Sequence, residues 1–156
     1  MDDPIWTLES VLDFAIHMEE YAIQIYTSAI ERITSVASKK FLTELVEEEQ
    51  NHRKNLLEVK NNPDKIVEIG SSNTPIPDLQ IVDYLEDVSL TPEADYQQIL
   101  IYAAKKEKAS HDLYIRLAQQ FQNTDLGNLF YQLAQQELKH KYLLEKEYDD
   151  VVLAWM

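Results

Sequence analysis

A chain of 156 residues with 45% hydrophobic content is long enough for one domain with a sizeable core, and only 2 glycines argue against a barrel or sandwich of turn-linked strands. A net charge of −14 opposes nucleic-acid binding, which needs a lysine and arginine surplus, and the absence of cysteine excludes disulfides, thiolate zinc sites, cysteine-held iron–sulfur clusters and cysteine nucleophiles. No apolar run approaches the roughly 18 residues of a membrane span, and Met1-Asp2-Asp3-Pro4 lacks the basic and apolar regions of a signal peptide, so a cytoplasmic protein is expected.

Asp3-Pro4 reads as a helix start, a capping side chain followed by proline at the first helical position. Leu8, Val11, Leu12, Ala15, Ala22, Tyr26 and Ile30 then recur at three- and four-residue steps, the spacing of one helix face. The polar turn Thr34-Ser35-Val36-Ala37-Ser38 leads to a second helix carrying Phe41, Leu42, Leu45, Leu56 and Leu57. A long link over 61–91 follows, with Pro63, Gly70, Pro75 and Pro77 and room for a short helix at 81–85. Its length suits a crossover along a bundle better than a flexible linker between two separate hairpins. Thr91-Pro92 reads as the next helix start, followed by Ile99, Leu100, Ala103, Leu113, Tyr114 and Leu117. After Gln122-Asn123-Thr124-Asp125 a fourth helix carries Leu129, Phe130, Leu133, Ala134, Leu143 and Leu144. Turns this short make the joined helices antiparallel neighbours. The expected architecture is an all-α four-helix bundle, a single domain over 1–156 built from hairpin 4–60, crossover 61–91 and hairpin 92–150.

The two hairpins repeat. A shift of 88 positions superposes Pro4 on Pro92, Leu12 on Leu100, Glu19 on Glu107, Tyr26 on Tyr114, Glu49 on Glu137 and His52 on His140, without a gap inside either hairpin. Two copies of one amphipathic hairpin can bury their apolar faces only against each other.

Each half places a lone glutamate on its first helix, Glu19 or Glu107, and a Glu-x-x-His on its second, Glu49 to His52 or Glu137 to His140. Three residues make nearly one helical turn, so both members of each pair share a face. In an antiparallel hairpin, residues at equal height have a mean position at the turn. That mean is 35.5 for Glu19 with His52 and 123.5 for Glu107 with His140, and both fall inside the predicted turns. Four glutamates and two histidines should therefore meet at one level. Four carboxylates in a low-dielectric core require compensation, and two divalent cations would neutralise them. Oxygen-rich ligation with one imidazole per metal suits iron or manganese better than zinc, and the arrangement matches the known di-iron or di-manganese carboxylate pattern. Glu44, Glu47, Glu48 and Glu58 are expected to be solvated.

Ala15-Ile16-His17-Met18-Glu19-Glu20-Tyr21-Ala22 with Tyr26, followed by Glu49-x-x-His52, resembles the ferritin-like superfamily, nearest to rubrerythrin-like proteins. The resemblance spans both hairpins and implies two bound iron ions, with manganese the alternative. It makes Glu19 with His52, and Glu107 with His140, the terminal ligands, and Glu49 and Glu137 the bridging carboxylates. It also implies that Tyr26 and Tyr114 stand behind the ligands, where core packing of a satisfied hydroxyl is an equally good reading. Three departures matter. Full-length rubrerythrins carry a four-cysteine rubredoxin domain, so electrons would come here from a separate donor protein. Rubrerythrin proper has a further carboxylate where this chain has Ser110. The paired Glu-x-x-His resembles bacterioferritin, whose haem methionine corresponds to Gln50, so no haem is expected. A chain ending soon after the fourth helix leaves no room for the fifth helix of cage ferritins, and a homodimer is the expected assembly.

His111, one turn past Glu107, could touch the site but is more simply a surface histidine, and His17 should be exposed. The apolar end, 151–156, would pack on the bundle or form a subunit contact. The function these features imply is a non-haem di-iron redox protein, a peroxidase or ferroxidase meeting hydrogen peroxide or oxygen. The alternatives are an iron-storage module with little turnover, a di-iron oxygenase on an organic substrate, and a metal-free structural bundle.

Overall fold

The computed structural model describes residues 8–62 and 90–151, which form four helices: α1 (Leu8–Arg32), α2 (Val36–Asn61), α3 (Tyr96–Gln120) and α4 (Asp125–Val151). The Asp3-Pro4 helix start, the crossover with its prolines, the short helix at 81–85 and the terminal residues 152–156 lie outside the described residues.

Side-chain chemistry fixes the helix starts. Ser35 caps α2, its side chain accepting from the Ser38 amide at 3.2 Å. Thr124 Oγ1 accepts the Gly127 amide at 3.0 Å at the start of α4. The turn before it sets Asn123 at φ 65°, a left-handed conformation that asparagine tolerates. Thr91-Pro92 does not open α3. Those residues form a turn, in which the Ala94 amide donates to the Thr91 carbonyl at 3.0 Å, and the helix starts at Tyr96. The stronger signal is Asp95, whose carboxylate takes the Gln98 amide at 2.8 Å while the Gln98 side chain takes the Asp95 amide at 3.0 Å. This capping box satisfies two donors, whereas a proline only presets φ.

Contacts across the bundle fix its direction. Lys60 meets Asp13 at 2.6 Å and Arg53 meets Glu20 at 3.1 Å, so α1 and α2 are antiparallel. Helix α3 ends at Gln120 and α4 starts at Asp125, and Tyr96 at the start of α3 bonds Glu147 near the end of α4, so these two are also antiparallel. Tyr26 reaches Glu107 and Tyr114 reaches Glu19, which makes α1 and α3 antiparallel as well. His52 with Gln136 and His140 with Glu48 do so for α2 and α4. Helices α2 and α3 therefore run parallel, and no tight hairpin can join them. These cross-bundle pairs also obey the 88-residue shift, so the sequence repeat is a near-twofold axis of the fold.

The apolar residues divide into two layers. One contains Ile25, Ala29, Leu42, Leu45, Leu100 and Leu144, towards the α1–α2 turn. The other contains Val11, Leu12, Leu56, Leu126, Phe130 and Leu133, towards the α3–α4 turn. Each fully buried leucine contributes about 1.5–3 kcal/mol. Between the layers lies a band of buried acids and imidazoles.

Candidate metal centre

Four helices supply that band, and all six residues singled out from the sequence are in it. Glu19, Glu49, His52, Glu107, Glu137 and His140 are each no more than 2% exposed. His52 Nδ1 lies 3.5 Å from Glu19, 3.7 Å from Glu49 and 3.3 Å from Glu137. His140 Nδ1 lies 2.6 Å from Glu49 and 3.7 Å from Glu107. The two imidazoles stack with centroids 5.6 Å apart and planes 16° from parallel.

The donor atoms form two groups that could each hold a metal ion. Glu19, Glu49, His52 and Glu137 make one, and Glu49, Glu107, Glu137 and His140 the other, with the donor atoms of each group within 4.8 Å of one another. Glu49 and Glu137 belong to both. Among the described residues, every buried side-chain nitrogen or oxygen that lacks a hydrogen-bond partner belongs to these six residues. They are one oxygen each from Glu19, Glu107 and Glu137, both oxygens of Glu49, and Nδ1 of both histidines. His140 Nδ1 and Glu49 are close but poorly directed for hydrogen bonding. Buried polar atoms without partners cost roughly 1–3 kcal/mol each, more if charged, and divalent cations would satisfy oxygen-rich groups of this kind.

Electrostatics point the same way. Burial pushes the Glu49 carboxyl up, and the charges of Glu107 and Glu19 push further, so that it titrates at about 8. Burial and the charges of Glu107, Glu19 and Glu49 drive Glu137 well above the carboxylate range. In Glu19 burial also acts upward, but the close approach of Glu49 and His52, the charge of His52 and the hydrogen bond from Tyr114 outweigh it, bringing the group to about 2. Glu107 is held below its ordinary value against burial, by Glu137, His140 and Tyr26. Burial opposes charge on His52 and His140, yet the surrounding carboxylates keep both well above the usual imidazole range. Protons on two carboxyls and two imidazoles thus balance the acids. Two divalent cations carry the same charge.

The neighbours of these groups fix their orientation. Tyr114 donates to Glu19 at 2.8 Å and Tyr26 donates to Glu107, each across the bundle to the opposite hairpin. Both hydroxyls are pushed well above the usual phenol range, first by burial and then by the glutamates, so they remain donors. Each tyrosine is therefore both core and support for a carboxylate. His52 Nε2 donates to Gln136 and His140 Nε2 donates to Glu48, which turns both Nδ1 atoms into the site.

Glu48 corrects the sequence reading. It is not simply solvated, because its side chain is 44% exposed and holds His140, which lowers its carboxyl pKa. Glu48 and Gln136 are repeat partners, each four residues before a site histidine. That spacing was the available signal. Glu44 and Glu47 are exposed as expected. His111 stays out of the site, with Nδ1 3.2 Å from Asp112, and the His17 side chain is 80% exposed.

A cavity of about 600 Å³ opens between α1 and α3 and reaches the site at Tyr26 and Glu107. Ser110 is among the residues that line it. Nothing in the periodicity announced it. No described helix is long and apolar enough to cross a membrane.

The sequence model of the rubrerythrin family matches residues 10–148, which includes both hairpins and all six site residues. Among solved structures, a hypothetical protein from Pyrococcus furiosus is similar at 28% identity and a TM-score of 0.69, covering 96% of this chain and 92% of its own. No curated protein matches the chain.

Proposed function

The chain belongs to the rubrerythrin family, and on that footing we propose that it is a non-haem di-iron carboxylate redox protein that reacts with hydrogen peroxide or oxygen. One observation carries the reading: all the partnerless buried polar atoms of the described residues converge on one point from four helices. Glu19 and His52 would hold one ion and Glu107 and His140 the other, with Glu49 and Glu137 shared between them. Four carboxylates against two divalent ions leave the centre neutral, which suits a buried site. When bound, a pair of ferrous ions supplies two electrons to the oxidant, the number that reduces peroxide to water.

The chain's own residues do the rest. Tyr114 and Tyr26 restrain the Glu19 and Glu107 carboxylates, and Gln136 and Glu48 restrain the two imidazoles. Burial and the neighbouring acids push the Glu49 and Glu137 carboxyls up in the absence of metal, an effect that two divalent cations beside them would reverse. The apolar layers on either side exclude bulk water. With no cysteine in the chain, a rubredoxin-type iron cannot be held here, and electrons would return from a separate donor protein.

The test is stopped-flow absorbance of the anaerobic ferrous protein mixed with peroxide, comparing wild type with Glu49→Ala and Glu137→Ala. A fast near-ultraviolet change in wild type, lost in both variants while helicity is retained, supports the proposal. Equal rates in wild type and variants would sink it.

A further inference from the structure

Helices α1 and α3 touch far less than the partners within each hairpin. Small residues face the gap between them, Ala22 on α1 and Ala103 and Ala109 on α3, with Phe14, Met18 and Leu113 supplying apolar surface. The resulting volume of about 600 Å³ lies inside the range of about 300–1,000 Å³ typical of small-molecule sites. Its buried wall is formed by Tyr26 and Glu107, which are 1% and 2% exposed, and one oxygen of Glu107 has no hydrogen-bond partner. Glu107 therefore belongs both to the cavity lining and to the candidate metal centre.

One cation stands on this apolar lining. Lys106 Nζ sits 5.7 Å from the ring of Tyr21 and 5.3 Å from the ring of Tyr102. Those two hydroxyls bond each other at 2.6 Å. Among the described residues no carboxylate pairs with Lys106, in a chain whose net charge is −14. This exposed ammonium, beside two phenol groups at the edge of an apolar cavity, complements an anionic head on an apolar body.

We propose that the cavity between α1 and α3 binds an aliphatic monocarboxylic acid, its carboxylate at Lys106 and its chain extending along the apolar lining towards Tyr26 and Glu107. What that chain would meet at the buried wall rests on the di-iron reading given above. The binding itself does not, and it is measurable on protein freed of metal.

Calorimetric titration of hexanoate, octanoate, decanoate and dodecanoate, with 1-octanol as the neutral counterpart, tests this on the full chain with and without metal. Each added methylene should tighten binding roughly fourfold, the equivalent of 0.8 kcal/mol, until the cavity is full. Lys106→Gln should weaken octanoate about fivefold, as for a partly exposed ion pair, and leave octanol unchanged. Ala109→Trp, at an exposed helical position lining the cavity, should abolish binding of acids and alcohol alike while helicity stays unchanged. Failure of every acid to bind, or equal binding in both variants, would overturn the proposal. So would a dimer that dissociates on Ala109→Trp with no acid bound, since a second copy of the chain would then own the groove. A protein that binds acids but no metal would uphold this inference and refute the di-iron reading.

Discussion

Replacing Glu48 by glutamine would make the two halves of the site alike, because glutamine already stands at the equivalent position, Gln136. The wild-type protein backs His140 with a carboxylate and His52 with a neutral amide. An anion behind Nε2 raises the basicity of the inward Nδ1, and losing such a partner typically costs about 10- to 100-fold in metal affinity. Glu48 is 44% exposed, so solvent screens part of its charge. The lower end is expected, roughly tenfold or about 1.4 kcal/mol. Cobalt(II) titration, followed through its visible spectrum, resolves the two binding steps. Wild type should show a tighter and a weaker step. Glu48→Gln should weaken the tighter step about tenfold and bring the two together, and Gln136→Glu should strengthen the weaker one. Two steps unmoved by either substitution would refute the idea that the histidine partners make the metal positions unequal.

The metal-free protein should lose stability as pH rises. Glu49 goes from the ordinary 4.5 to about 8 on folding, so its contribution is fully present below 4.5 and is lost on the way up through about 8. Raised His52 and His140 act in the same direction at higher pH, while Glu19, lowered to about 2, makes its own contribution disappear as pH falls from 4.5. From Glu49 alone the difference between pH 5 and pH 8 is roughly 3–4 kcal/mol, so urea midpoints of chelator-treated protein should be clearly lower at pH 8 than at pH 5; equal midpoints would contradict this. Gly127→Ala should destabilise by about 1–3 kcal/mol, because the added Cβ would lie 2.2 Å from the Phe121 carbonyl oxygen, a backbone atom with little room to yield. A thermal midpoint unchanged from wild type would count against that close approach. Lys141 and Glu145 are both buried, with Nζ 3.5 Å from the carboxylate. Lys141→Ala should cost about 3–5 kcal/mol by removing one member of this buried pair, measured by denaturant unfolding; a loss below about 1 kcal/mol would contradict a buried ion pair here.

The six residues of the buried cluster were legible in the sequence as a group because three independent regularities coincide on them. Glu-x-x-His puts two donors on one helix face, the 88-residue repeat doubles the pattern, and the turns set Glu19 level with His52 and Glu107 level with His140. Glu48 was not legible to the same degree. It stands in the run Glu47-Glu48-Glu49 on an acidic helix, and only contact across the bundle separates the solvated residue from the one that holds His140. The start of α3 was misread for a different reason. Two helix-start signals compete within five residues, and the reciprocal bonds of Asp95 and Gln98 outweigh the preset φ of Pro92. The cavity depends on how small residues of α1 and α3 fall opposite one another. Periodicity assigns residues to a face but says nothing of the volume left between two faces.

The central claim is that six buried residues from four helices hold two metal ions. The most direct measurement is the metal content per chain of anaerobically purified protein reloaded with ferrous iron, read beside Glu49→Ala and Glu137→Ala. Two irons per wild-type chain, with a marked loss in both variants, is the predicted result. Wild-type protein that binds no iron after ferrous loading would contradict the account, and Glu19, Glu49, His52, Glu107, Glu137 and His140 would then be a proton-balanced structural core.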